Sequence, residues 1–277
     1  VNSGDDEQFH GLHVSPDIDT MMYTLAGISD SSTGWGIAGD SFRALDMLHI
    51  YGADNWFNLG DKDLATHIRR TDLLGKGLHL SEITSQMCRQ LGIECAVVPM
   101  SDQRIQTILD TEDGPLPMQE YFVRRRCEPK VSGISFKGTD EAEPSPAFKS
   151  ALSNSSGLII CPSNPFLSIG PILAIPSVRE SIASFQGIRV IVSPIVDGKA
   201  LRGPAGKLLK ELNFPVSSVG VAQQYRGLCD FFVLDHQDAH LSDSIQDLGI
   251  RPSVTSTVME TESDKERLAQ FVVNLIR

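Results

Sequence analysis

From residue 151 onward the chain alternates short apolar runs with amphipathic stretches, and that rhythm leaves few folds open. GLIIC, RVIVSPIV and FFVLD read as strands, and PSVTSTVM as a last edge segment. SVRESIASF, the loop-plus-helix GPAGKLLKELNF and the terminal DKERLAQFVVNLI read as helices. Strands separated by helices pair in parallel through right-handed crossovers. The expected fold class is therefore α/β, a Rossmann-like three-layer α/β/α arrangement on a mainly parallel sheet. Residues 93–137 break the rhythm: CAVVPM, QTILDTEDGPLPMQEYFV and VSGISFKG alternate like strands, with turn signals at EDGP and EPKVSG. A small β-rich insertion over 93–140 follows, between an N-terminal part of the core at 1–92 and the rest of the core at 141–277.

The first 92 residues read mostly as helices. Met21, Met22, Leu25 and Ile28, then Phe42, Leu45 and Leu48, recur at helical spacing on either side of the break SDSSTGWGIAGD. A further helix starts near Asp61 or Asp63 in NLGDKDLATHIRRTDLL. Another, LSEITSQMCRQLG, is expected to begin at Ser81, with Ser81 and Thr84 as candidate caps and Gly92 closing it.

Composition narrows the function. The 277 residues are 41% hydrophobic and 21% charged, enough for one large domain or two small ones. No apolar run approaches the ~18 residues needed to cross a bilayer, and no secretory leader is visible. Five scattered cysteines with no CxxC pair suggest neither a disulfide framework nor a zinc site, and fit a reduced, cytoplasmic protein. The net charge of −11 argues against a nucleic-acid partner. The basic run Arg124-Arg125-Arg126 is too short to alter that, and reads either as a solvated face or as a strand end facing an anion.

CPSNPFLSIGP, residues 161–171, sits between an expected buried strand and an expected helix. Pro162, Pro165 and Pro171 fix φ and remove amide donors. Ser163, Asn164 and Ser168 can bond nearby backbone or cap a helix. Strand, polar loop and helix N-terminus together make an anion site at the carboxyl end of a sheet; an ordinary strand–helix connection would look the same.

Three acidic motifs lie in the first 63 residues: SGDD (Asp5, Asp6), SPDID (Asp17, Asp19) and LGDKD (Asp61, Asp63). Carboxylates two apart suit a hard cation such as magnesium, or a general base. Helix capping explains any one of them equally well. His10 with His13, and His236 with His240, have metal-compatible spacing but no further ligands; His67 follows LGDKDLAT and belongs near the same helix start. No GxSxG, HExxH or P-loop motif is present.

Read in order, GLHVSPDIDTMMYTLAG, WGIAGDSF, NLGDKDLATHIRRT, LPMQEYFVRRR, CPSNPFLSIGPIL, VSPIVDGKALRGPAGKLL and SSVGVAQQY resemble the 2-phospho-L-lactate transferase family over nearly the whole chain. The resemblance implies an enzyme of coenzyme F(420) biosynthesis. Such an enzyme moves a phospholactyl or phosphoenolpyruvyl group from a guanosine-diphosphate-linked donor to the deazaflavin alcohol FO, 7,8-didemethyl-8-hydroxy-5-deazariboflavin. It releases GMP and needs magnesium. By the same resemblance, Ser163, Asn164, Pro165 and Ser168 line the donor's diphosphate and nucleotide, with Ser193, Gly203 and Lys207 bordering it. Asp19 and Asn58, with Thr66 and His67, are placed at FO. Asp17, Asp19, Asp61 and Asp63 are candidates for the metal shell, and Asp19 and Asp61 for catalysis. The family suggests a homodimer. Its members also carry a strand and a GGTGG-like turn ahead of VNSGDD, so that unit is expected to be absent here. A related family of UDP-sugar-binding regulators has a similar loop, which leaves a nucleotide sensor without turnover as the alternative. The residues do not distinguish a lactyl from an enolpyruvyl donor.

Overall fold

The computed structural model describes residues 1–277. They form two compact units, Val1–Pro129 with Ser135–Lys149, and Lys130–Ile134 with Ser150–Arg277.

The first unit opens with a hairpin, β1 (Glu7–Phe9) against β2 (Leu12–Val14). His10 and Gly11 at its tip both have positive φ, 51° and 79°, as a tight two-residue turn requires. Four helices follow: α1 (Pro16–Leu25), α2 (Arg43–Ile50), α3 (Asp61–Gly75) and α4 (Leu80–Gln90). Ile18, Met22 and Tyr23 of α1, Leu73 of α3, and Ile83 and Met87 of α4 close one core with Ile93 and Val97. Each fully buried Leu, Ile or Met is worth ~1.5–3 kcal/mol, so this cluster locks the faces that carry the acidic motifs. Helix α4 begins one residue before Ser81, capped by a reciprocal pairing of His79 and Glu82 rather than by Ser81. Ser81 instead donates backbone N–H and hydroxyl to Asp102, at 2.7 and 2.9 Å.

The β-rich stretch contributes β3 (Gln106–Thr111) and β4 (Gly114–Pro117), an antiparallel hairpin. β5 (Val131–Lys137) is the third strand of that sheet, and only its last three residues belong to the first unit. Two of the expected strands here are absent. CAVVPM bonds Val1, Val1 N to Val98 O at 2.7 Å and Met100 N to Val1 O at 2.9 Å, and Met100 O accepts from Ser145 N at 3.1 Å. These isolated pairs do not extend into a ladder. EYFV is a one-turn π-helix, Glu120–Arg124. Arg125 N bonds Glu120 O at 2.8 Å, and Arg126 and Cys127 turn the chain back with φ of 50° and 57°.

Helix α5 (Pro146–Asn154) leads into the second unit. Its sheet is parallel, in the order β11-β10-β7-β6: β6 (Gly157–Ile160), β7 (Ile188–Val192), β10 (Phe231–Asp235) and β11 (Arg251–Thr255). This is the α/β class expected from the strand–helix rhythm, and PSVTSTVM is indeed an edge. β6 is the other edge, not a buried strand, and Ile159 is 40% exposed. The terminal helix α11 (Glu262–Ile276) lays Leu268 and Val272 on Val190, Val192 and Val233. The helix expected after the polar loop is two, α6 (Gly170–Leu173) and α7 (Pro176–Ala183), because Pro176 cannot continue α6. A short β-pair (β8, Ile195–Val196; β9, Lys199–Ala200), α8 (Ala205–Glu211), α9 (Ser218–Gln223) and α10 (Ser242–Gln246) complete the unit. No helix is long and apolar enough to cross a membrane.

Candidate functional site

In the first unit, Asp63, His67 and Arg70 lie at positions four and three apart on one face of α3 and point into the core. Across from them, α1 presents Asp19 and Tyr23, four apart. Arg70, 1% exposed, grips both Asp19 oxygens, and its Nη1 also reaches His13 O at 3.4 Å. That Nη1 lies 3.4 Å from His67 Nδ1. A guanidinium only donates, so Nδ1 accepts and the neutral ring carries its proton on Nε2. His67 Nε2 lies 3.3 Å from Asp63 Oδ2 but makes no well-aligned hydrogen bond. Tyr23 donates to Asp63 Oδ1 at 2.6 Å and sits 2.7 Å from Thr66 Oγ1. Burial, then the charges of Asp19 and Asp63, push the Tyr23 phenol up, so it stays a donor. Burial also pushes Asp63 up, but its close contact with His67, the hydrogen bond from Tyr23 and the charge of Arg70 outweigh it and hold the carboxyl below its ordinary value. Ligand atoms of Asp19, Asp63 and His67 lie within 4.8 Å of one another.

A second carboxylate group is built from the N-terminal loop. Asn2 Nδ2 donates to Asp5 Oδ1 at 2.9 Å and to Asp17 Oδ2 at 3.0 Å. Gln119 Nε2 donates to Asp5 Oδ2 at 3.1 Å. Asp6 Oδ2 accepts from Ser15 at 2.7 Å and lies 3.0 Å from His13 Nε2, while Asp6 Oδ1 is buried with no partner. Burial, then repulsion from Asp17 and Asp6, pushes the Asp5 carboxyl well up; burial raises Asp6 and Asp17 too. Crowded, desolvated carboxylates of this kind are relieved by a cation.

The structure thus separates the acidic residues singled out in sequence. Asp19, Asp63, Thr66 and His67 meet; Asp17 joins Asp5 and Asp6; Asp61 joins neither. Its oxygens accept from Ser41 Oγ at 2.5 Å and from the Arg43 and Ala44 amides at 3.2 and 2.9 Å, which caps α2. Asp40 returns the arrangement at the start of α3, accepting from Lys62 N and Asp63 N at 2.8 and 3.1 Å. A side chain on Gly60 would overlap Asp40, so only glycine permits this double cap. Asn58 is exposed. Arg70, Tyr23, Asn2 and Gln119 were not singled out beforehand. Arg70 was within reach, because Asp63, His67 and Arg70 share one helical stripe.

In the second unit the polar loop folds on Asn164. Its Oδ1 accepts from Phe166 N and Leu167 N at 2.9 and 3.2 Å, and its carbonyl accepts from Ser168 N at 3.1 Å. With Oδ1 fixed in that way, Nδ2 is buried without a partner. Ser163 and Ser168 are half-buried and Pro165 is buried. α6 is only four residues long, so it adds little helix dipole to this loop. Ser193 is buried and spent internally, donating to Ile195 O at 2.9 Å and lying 3.1 Å from Ser218 Oγ, which donates to Asp238 at 2.7 Å. Gly203 has φ +69° with open space around it. Lys207 pairs with Glu211 at 2.8 Å.

The family model described as 2-phospho-L-lactate transferase CofD matches residues 1–276. Similar curated proteins include a 2-phospho-L-lactate transferase of Methanopyrus kandleri, 39% identical over 100% of this chain and 88% of its own length. Another is that of Methanosarcina acetivorans, 36% identical over 99% of this chain and 89% of its own. A phosphoenolpyruvate transferase of Streptomyces griseus is 38% identical, covering 99% and 88%. Among solved structures, a UPF0052 family member from Bacillus halodurans superposes with a TM-score of 0.61 at 14% identity, covering 98% of this chain and 89% of that one. At that identity the likeness concerns the fold.

Proposed function

Because the chain belongs to the 2-phospho-L-lactate transferase CofD family, we propose that it transfers a phospholactyl or phosphoenolpyruvyl group from a guanosine-diphosphate-linked donor to FO. The reaction is a step of coenzyme F(420) biosynthesis. The observation that carries this reading is full-length similarity to relatives named for that transfer, at 36% and 39% identity. The ribityl hydroxyl of FO attacks the phosphorus next to the lactyl or enolpyruvyl oxygen. A new P–O bond forms, the P–O bond to GMP breaks with its electron pair leaving on GMP, and the hydroxyl proton passes to solvent. Positioning and charge neutralisation supply most of the catalysis in such a step. That agrees with a chain that shows no activated nucleophile. Both Asp19 oxygens are held by Arg70, so in this mechanism Asp19 orients the acceptor side. His67, 1% exposed, supports it from behind, and exposed Asn58 is left to meet FO. Asn164 Nδ2, unpartnered, offers the donor's phosphates a hydrogen bond.

Magnesium prefers oxygen ligands and keeps several waters. Asp5, Asp6 and Asp17 fit that preference, since they are oxygen-only, mutually repelling, and include the orphaned Asp6 Oδ1. Asp19 is already paired with Arg70, and Asp63 accepts from Tyr23 and stands beside His67, a nitrogen ligand that magnesium does not favour. Asp6 and Asp17 are therefore the residues that would hold the ion, with Asp5 behind them. Magnesium held there would supply neutralisation of the donor's diphosphate charge. The reading includes action in the cytoplasm and a homodimer, for which exposed Ile50 and Tyr51, at 71% and 78%, offer an apolar face. The test is release of GMP measured by chromatography. It is expected only when donor, FO and magnesium are all present. Binding of guanine nucleotide without GMP release would make the protein a sensor instead.

A further inference from the structure

A cavity of about 670 Å³ opens in the first unit, and its lining mixes aromatic with polar and charged side chains. Phe9 and Phe57 stack at 4.0 Å between centroids, 11° from parallel, and Trp56 meets both edge-on at 5.1 and 5.8 Å. Trp56 and Phe57 stay half-buried, and so keep surface for a guest. The π-helical turn brings Glu120 and Arg124 to the same cavity. Arg124 lies over the Trp56 ring, 5.8 Å from its centroid, and is 49% exposed with Glu120 at a loose 4.0 Å. The turn is held by the buried Tyr121, whose hydroxyl reaches Cys127 O at 3.4 Å, and by two non-glycine residues in the left-handed region. Such conformations persist where the surroundings impose them, and they cluster at ligand sites.

These features select a guest. A volume of this size suits one small molecule rather than a peptide. Stacked phenyl and indole faces suit a flat ring system. Arg124 and His10 are the basic side chains on the walls, while Glu7, Asp54 and Glu120 are acidic. Glu7 is already held by Arg104 and Gln106 at 3.2 and 3.1 Å. An acidic ring hydroxyl is therefore accepted at Arg124 and disfavoured beside Glu7 and Asp54, which fixes which way round the ring enters. We infer that this cavity seats the planar ring of the acceptor and that Arg124 is a specificity-determining residue which reads an acidic ring hydroxyl. The inference rests on the proposed transferase reading, in which the acceptor is an 8-hydroxy deazaflavin.

The chain has two tryptophans. Replacing the exposed Trp35 by Phe leaves Trp56 as the single indole, so its fluorescence reports a ring arriving beside it. FO should quench Trp56 and riboflavin, which lacks the ring hydroxyl, should bind more weakly. Arg124→Gln should weaken FO about tenfold, equivalent to about 1.4 kcal/mol, and leave riboflavin unchanged. Arg124→Lys, which keeps the charge but loses the planar fork, should recover part of the loss. FO that leaves Trp56 unquenched overturns the placement, and an equal loss for both rings, or no loss, overturns the role of Arg124. GMP release with FO is scored separately. If it persists while Trp56 stays unquenched, only this inference fails; if quenching and selectivity hold without any GMP release, only the transferase reading fails.

Discussion

Arg70→Met tests the buried ion pair that organises the Asp19 side of the acidic site. Arg70 and Asp19 are 1% and 4% exposed, and Arg70 holds both carboxylate oxygens. Methionine has a comparable stem and no charge, so the change strands Asp19 as an unpaired ion among α1 and α3. Breaking a buried pair in this way costs ~3–5 kcal/mol, against ~5–15 kcal/mol for a whole domain. In a chain of this size each kcal/mol moves the melting temperature by ~2–4 °C, so calorimetry should record a fall of roughly 10 °C. The double variant Arg70→Met with Asp19→Leu removes both charges and should recover most of the loss, because apolar replacements of buried pairs are often neutral. A single variant that loses less than about 1 kcal/mol would refute the argument. A double variant as unstable as the single would also do so, since it would locate the cost in packing rather than in the stranded charge.

Other expectations follow from the same geometry. Asp61→Ala removes the acceptor for the Arg43 and Ala44 amides. It should cost ~1 kcal/mol in urea titrations without changing the magnesium dependence of turnover; a lost magnesium response would return Asp61 to the metal shell. Chelation by EDTA should stop GMP release, and Asp6→Asn should raise the magnesium concentration needed to restore it; an unchanged requirement would exclude Asp6 as a ligand. Asn164→Ala should weaken GDP binding in calorimetry, and equal affinity would put the nucleotide elsewhere. Burial, then Asp230, pushes the Cys229 thiol up to about 12 from its ordinary 9.0. The folded state then keeps a proton that the unfolded state gives up, so stability is untouched below pH ~9 and declines between ~9 and ~12. Cys229→Ala should therefore gain on the parent protein as pH rises through that window, and a constant difference in unfolding free energy would contradict it.

How much was legible in the sequence depended on how local the cause was. The strands at 157–160, 188–192, 231–235 and 251–255 follow from apolar runs separated by helices, and they form one parallel sheet. The edge position of the first of them depends on which strands lie beside it, which no apolar run states. EYFV looked like a strand because it is apolar and short. Its geometry is set by Tyr121 burying itself and by the turn at Arg126 and Cys127, a tertiary demand that overrides propensity. The three acidic motifs were visible, but their division was not. Asp61 caps a helix that begins eighteen residues before it, at Arg43, so neighbouring sequence gives no hint that its carboxylate is taken. Asn2 bridges Asp5 and Asp17 across the intervening hairpin sequence, a contact that no local pattern states. The clearest missed signal was Arg70, whose spacing from His67 and Asp63 already placed it on the same face of α3.

Direct group transfer to FO is decided by mass spectrometry of the product. The protein is incubated with FO, magnesium and each guanosine-diphosphate-linked donor in turn. The expected product is FO enlarged by one phospholactyl or phosphoenolpyruvyl group, formed in equal amount to the GMP released, and the donor that yields it identifies the native one. Unmodified FO, with the donor either bound intact or hydrolysed to GMP, would contradict the claim.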